Sequence, residues 1–314
     1  MMRAQRRGTR SGRHHVASEE LKTVQELLRS FDLESLTIAE RRKAAESVAS
    51  VPPAGTVVEP VEANGVPAEW VAAAGVGDGR ALLYLHGGAY QIGSPGTLRH
   101  LVARLSGVAQ ARALSVDYRL APEYPFPAAV DDAVAAYRWL LAEGTDPATI
   151  AVAGDSAGGG LALGTLVALR DAGEPMPAAA VLLSPWTDLA LTGESLRTRA
   201  SVDVMVKPGS MHQTAAFYLA GEDPRHPYAS PLYANLRGLP PLLIQVGDAE
   251  VILDDSTRVA ARAREAGIDV TLEVWDEMPH VFHAFAGLLP ESDQAIERIG
   301  EWLQHRYPTA PPAK

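Results

Sequence analysis

The chain has no cysteine in 314 residues. That absence excludes a disulfide scaffold, a thiolate zinc site and a cysteine nucleophile, and it fits a reducing cytoplasm, the compartment expected here. Long hydrophobic runs are also missing. No stretch approaches the ~18 consecutive apolar residues that a membrane span needs. Positive charge is in deficit, with 28 Lys+Arg against 38 Asp+Glu and a formal net charge of −10. A nucleic-acid-binding surface is therefore not expected. What remains, 47% hydrophobic and 21% charged, is ordinary globular composition, enough for one large domain or two ordinary ones. The main local exception is residues 1–16. They carry Arg3, Arg6, Arg7, Arg10 and Arg13 with no acid. No apolar segment follows as a secretory signal would require, so they read as a basic flexible tail.

Taken in order, residues 18–30 have Leu21, Val24, Leu27 and Leu28 on one helical face. Thr37-Ile38-Ala39-Glu40 has the form of a capping box opening a second helix to about residue 48. Residues 56–62 and 68–74 read as two strands of a hairpin around Asn64-Gly65. The apolar runs at 81–85 and 112–116 read as strands buried on both faces, and those at 150–154, 179–184, 241–246 and 270–274 as further strands. Helical patterns at 96–107, 128–142, 156–172, 253–267 and 291–306 separate or follow them. This alternation predicts an α/β fold with a mainly parallel, doubly wound sheet and the first hairpin as an antiparallel edge. It lapses between 185 and 239, where only 208–219 reads as a helix, so that segment reads as an insertion over the sheet.

The chemistry centres on Gly154-Asp155-Ser156-Ala157-Gly158, between a strand pattern and a helix pattern. It fits the G-x-S-x-G nucleophile elbow, in which a sharp turn exposes the serine hydroxyl and small flanking residues let strand and helix approach. No frame from 154 to 164 gives the dinucleotide fingerprint G-x-G-x-x-G, and no Lys is present for a P-loop. An activated serine needs a base, and the base an orienting acid, in the chain order Ser, acid, His. Of the histidines after Ser156, His212 and His226 lie in the insertion and His305 in the last helix. His280 and His283 follow the last strand, at the carboxyl edge where an open sheet presents its ligands. His280 is the expected base and His283 the alternate. Spacing alone leaves the acid open between Asp248 and Glu250 after the strand at 241–246. His86-Gly87-Gly88-Ala89 ends an earlier strand, where backbone N–H groups can face an oxyanion. His86 precedes the serine and reads as a structural hydrogen-bonding group.

His86-Gly-Gly-Ala-Tyr90, Asp117-Tyr-Arg-Leu-Ala-Pro122, Gly154-Asp-Ser-Ala-Gly-Gly159, Ser184-Pro-Trp-Thr-Asp188, the acidic stretch 247–255 and His280 occur in one order. In these motifs the chain resembles the bacterial hormone-sensitive-lipase-like esterases of the α/β-hydrolase fold. The resemblance implies a serine carboxylic-ester hydrolase for short-chain esters or lactones, without metal or cofactor. It places the triad acid four residues before an Asp, a register that Glu250 and Asp254 fit and Asp248 does not. The implied triad is Ser156, Glu250 and His280, although Asp is the commoner acid in the group. The implied oxyanion donors are Gly88, Ala89 and Ala157, with Gly87 shaping the loop. It also implies that residues 17–50 and about 185–235 form a helical cap on a catalytic domain at 51–307, with 308–314 a tail. The expected partner is a small ester, with no nucleic acid and no membrane; a homodimer is compatible. A non-catalytic receptor on the same fold, or an amidase using the same triad, are the alternatives; the first typically lacks a triad member, and here all three are present.

Overall fold

A computed structural model of the chain describes residues 18–30, 35–47, 49 and 51–308. The basic tail expected at 1–16, and all but residue 308 of the tail expected at 308–314, lie outside them. The first helix, α1 (Glu19–Ser30), buries Leu21 and Val24 of the face its sequence pattern predicts, while Leu28 is half-buried and Leu27 is exposed. In α2 (Ile38–Ser47) the capping box forms. Thr37 N–H donates to Glu40 Oε2 (2.8 Å), and Glu40 N–H donates to Thr37 Oγ1 (3.3 Å). No residue of α2 is buried.

Strands β1 (Val57–Ala63) and β2 (Val66–Ala72) form an antiparallel hairpin. Its two-residue turn places Asn64 and Gly65 at φ 53° and 82°, the left-handed pair that matches the strand twist. Then come β3 (Ala81–Leu85), α3 (Arg99–Ala109), β4 (Arg112–Val116), α4 (Ala128–Ala142), β5 (Ile150–Asp155), α5 (Ala157–Asp171) and β6 (Ala179–Leu183). The segment that broke the alternation holds α6 (Ser195–Thr198) and α7 (Pro208–Leu219); the short α6 has no apolar period by which sequence could find it. The chain ends with β7 (Leu242–Gly247), α8 (Leu253–Glu265), β8 (Val270–Trp275) and α9 (Pro290–Gln304).

The eight strands lie in the order β1-β2-β4-β3-β5-β6-β7-β8. Pairing is antiparallel for β1–β2 and β2–β4 and parallel from β4 to β8. Alternation within each strand divides the core into two layers. Leu83, Leu85, Val152, Leu182 and Ile244 face α4, α5 and α8. Leu82, Tyr84, Ala153, Val181 and Leu243 face α3 and α9. Each such fully buried aliphatic side chain contributes about 1.5–3 kcal/mol, so the central strands need apolar residues on both faces. The consequence for the site is directional. The carboxyl ends of β3, β5, β6, β7 and β8 lie on one edge, and the loops leaving them carry residues 87–89, Ser156, Ser184, Glu250 and His280.

Candidate active site

Backbone geometry at the end of β5 explains the small residues there. Ser156 sits at φ 52°, ψ −121°, a strained conformation for a non-glycine residue, and α5 begins at the next position. A Cβ on Gly158 would lie 2.0 Å from Leu85 O, and one on Gly160 would lie 1.9 Å from Trp186 O. Neither neighbour is a flexible side chain, so only glycine lets α5 start this close to the sheet. Ser156 is tied to the corner after β6: its N–H donates to Leu183 O (2.8 Å), and its carbonyl accepts from Trp186 N–H (2.8 Å).

His280 and Glu250 come to this serine from different loops. His280 Nε2 is 2.8 Å from Ser156 Oγ, and His280 Nδ1 is 2.6 Å from Glu250 Oε2. The other Glu250 oxygen accepts from Ser184 Oγ–H (2.6 Å) and Gly247 N–H (2.6 Å). Glu250 is fully buried and His280 nearly so. Burial pushes the Glu250 carboxyl above the ordinary carboxylate range, while His280, Ser184 and Gly247 pull against it. Burial alone would lower His280. The Glu250 carboxylate outweighs it, with Asp203 and Asp155 adding, and the imidazole is held above its ordinary value. An imidazole that rests on a carboxylate at one nitrogen and on a hydroxyl at the other can draw the hydroxyl proton and carry the resulting charge.

The other candidates are engaged elsewhere. Asp248 accepts from Glu277 N–H (2.7 Å). Asp254 accepts from Ser195 N–H (2.9 Å). His283 Nε2 lies 2.9 Å from Gln245 Oε1, and burial lowers its pKa to about 3. His226 Nδ1 accepts from Tyr228 N–H (3.2 Å), while His212 and His305 are exposed. His86 lies under the glycine loop, its Nδ1 2.7 Å from Gly87 O and its ring stacked 4.3 Å from Tyr118. Burial lowers it to about 4, so it stays neutral. That is the structural role read from its position.

The loop after β3 runs beside the elbow. Gly88, Ala89 and Tyr90 have φ of 113°, 56° and 61°, and Gly88 O accepts from Gln91 N–H and Ile92 N–H (3.0 Å each). Gly87 N–H donates to Asp155 Oδ1 (2.9 Å), which also accepts from Tyr84 Oη–H (2.7 Å). Gly87 is thus spent on loop geometry, and a Cβ there would lie 2.2 Å from Asp155 Oδ2. Ala157 is the first residue of α5, where N–H groups lack intrahelical acceptors. Three residues the sequence reading gave no role prove central. Asp155 anchors the glycine loop, Ser184 binds Glu250, and Asp203 Oδ2 accepts from Val251 N–H (2.8 Å) next to that acid. Asp155 and Ser184 stand inside motifs already singled out; Asp203 carries no sequence signal.

Among the described residues no group of three or more His, Asp or Glu is placed to hold a metal ion, and no helix is long and apolar enough to cross a membrane.

Comparison with known proteins agrees with this fold. A family model described as alpha/beta hydrolase fold matches residues 82–284. An acetyl-hydrolase of Streptomyces hygroscopicus is 49% identical over 296 residues, covering 92% of this chain and 97% of that one. The crystal structure of the esterase EstE5, soaked with p-nitrophenyl butyrate, superposes with a TM-score of 0.90 at 50% identity, over 92% of this chain and 99% of that one. An esterase from the bacterial hormone-sensitive lipase family superposes equally well, with a TM-score of 0.90 at 49% identity over 94% and 100%.

Proposed function

We propose, for a chain that belongs to the α/β-hydrolase-fold family and is a serine ester hydrolase of the bacterial hormone-sensitive-lipase-like group, that Ser156, His280 and Glu250 are its catalytic residues. The single observation that supports this reading is the unbroken line from Ser156 Oγ through His280 to Glu250, at 2.8 and 2.6 Å. Ser156 Oγ attacks the ester carbonyl carbon as His280 Nε2 takes its proton. Glu250 holds the ring in the tautomer with hydrogen on Nδ1 and stabilises the imidazolium. The tetrahedral oxyanion is met by the N–H groups of Gly88, Ala89 and Ala157, in keeping with the commitment of Gly87 to Asp155. Collapse expels the alcohol, which receives the proton from His280. Water then gives its proton to the same nitrogen as it attacks the acyl-enzyme, and collapse breaks the Oγ–acyl bond, releasing the acid while Nε2 returns the proton to Ser156 Oγ.

We read the substrates as short-chain esters. In support, one relative is named an acetyl-hydrolase and one structural neighbour was soaked with p-nitrophenyl butyrate. Residues 17–50 and 185–235 are read as a cap. In support, Leu21 packs with Met278 and Phe282 on the loop that carries His280, and Asp203 bonds beside Glu250. A homodimer is supported only by the sheet edges at β1 and β8, and light scattering tests it. A cytoplasmic site of action draws its support from the absence of cysteine.

The test is hydrolysis of p-nitrophenyl esters from acetate to long chains by wild type and Ser156→Ala. Wild type turns over short esters, and Ser156→Ala loses about 10⁴–10⁶ in kcat. Wild-type turnover no greater than that of Ser156→Ala would overturn the reading.

A further inference from the structure

Ser184 follows β6 at φ 46°, in the left-handed region that favours glycine. What a serine has there and a glycine lacks is the hydroxyl, and this hydroxyl bridges two loops. It donates to Glu250 Oε1 (2.6 Å) and accepts from Val281 N–H (3.2 Å), the residue after His280. Ser184 N–H donates to Gln245 O (2.7 Å) on β7. The residues around it reach the nucleophile, since Leu183 O and Trp186 N–H bond the two backbone groups of Ser156 at 2.8 Å each. One four-residue corner therefore touches the nucleophile's backbone, the acid's carboxylate and the backbone beside the base.

Resting on the triad proposed above, we infer that Ser184 is a positioning residue, whose hydroxyl orients the Glu250 carboxylate and sets how tightly the Glu250–His280 pair holds a proton. A carboxylate that shares its charge with a hydroxyl donor is a weaker proton acceptor, and so is the imidazole that leans on it. The pair titrates as a unit, so loss of the donor raises its apparent pKa whichever member carries the proton. Other charged or titratable groups facing His280 are Asp155 at the end of β5, Asp203 between α6 and α7, and His283 on the following turn. A change at position 184 leaves all three in place, so a shift reports the hydroxyl.

The experiment compares wild type, Ser156→Ala, Ser184→Ala and Ser184→Gly with p-nitrophenyl butyrate across the pH range, together with Tm. Both Ser184 variants lose about 10- to 100-fold in kcat, with KM within about threefold, and the acid limb of kcat/KM moves upward by about half a pH unit or more. Glycine relieves the backbone conformation, so Ser184→Gly melts no lower than Ser184→Ala yet shows the same kinetic defect. Wild-type kcat in both variants, or a lower Tm with an unmoved acid limb, overturns the inference and leaves the triad standing. Activity that survives in Ser156→Ala overturns the triad reading itself.

Discussion

Glu250 and Asp248 leave the same strand two residues apart and bond different residues of the loop after β8. Glu250 is enclosed by three donors, His280 among them, whereas Asp248 accepts the backbone N–H of Glu277. The longer side chain is therefore the one that faces His280, and Asp248 holds the turn after β8. Glu250→Gln should lose about 10³–10⁴ in kcat, because an amide cannot stabilise the imidazolium and can present its NH₂ to Nδ1. Asp248→Asn keeps an acceptor for Glu277 and should stay within about threefold of wild type. Steady-state kinetics of the two variants side by side checks both. Equal losses, or a larger loss at Asp248, would reverse the assignment. Spacing alone could not separate these two acids, because a loop two residues long can turn either side chain inward. The family register pointed to Glu250, and its surroundings supply the physical reason.

The two N-terminal helices are held in different ways. α1 inserts Leu21 and Val24 and is held by burial, while α2 buries nothing and is held by polar contacts. Arg42 donates to Gln91 O (2.8 Å) and Ala121 O (3.1 Å) and pairs with Glu123 through both carboxylate oxygens. Glu46 accepts from Ser94 Oγ–H (2.6 Å). Each contact lands just after the glycine loop or on the proline-rich loop beside it. Arg42→Ala should therefore speed amide hydrogen exchange in 38–47 by about tenfold or more while β3 and β5 keep their protection. Unchanged exchange in α2 would show that other contacts hold it. The central strands β3, β5, β6 and β7 were legible because burial on both faces demands apolar runs, and β1 and β2 because of the Asn64-Gly65 turn between them. The helices were legible where period and caps agree, as at Thr37–Glu40. α6 was not, since a four-residue helix completes barely one turn.

Across the whole molecule, three buried carboxyls make their contribution to stability fall as pH rises. The buried His86 and His283, lowered to about 4 and 3, act oppositely below the ordinary His range. Burial raises Asp155 to about 6 and, with Asp188 beside it, Asp255 to about 8, while Glu250 is also raised. The unfolded chain loses these protons near pH 4; the folded chain keeps them to the higher values. In that window the folded state binds more protons, so their contribution to stability falls as pH rises. Glu123, held at about 2 chiefly by its hydrogen bonds from Arg42, acts oppositely, and its contribution is lost only as pH falls below the ordinary Glu value toward 2. Asp255 accepts from Thr187 and Asp188 N–H through one oxygen, a role an amide oxygen can fill. Asp255→Asn should therefore flatten the decline of Tm between about pH 6 and 8. A decline as steep as that of wild type would remove Asp255 as its source.

The sequence by itself determined the alternating architecture, the elbow at Ser156, the strand-end position of His280 and the glycine loop. Each of these rests on a local rule: periodicity, small residues at a tight turn, or chain order at the sheet's edge. Only the tertiary structure decided which acid faces His280, that Asp155 consumes the Gly87 N–H, and that Ser184 and Asp203 brace the acid. Those pairings join residues 30, 68, 66 and 48 positions apart. Hydrogen bonds across such distances depend on how strands register and loops return, which no short stretch of sequence encodes.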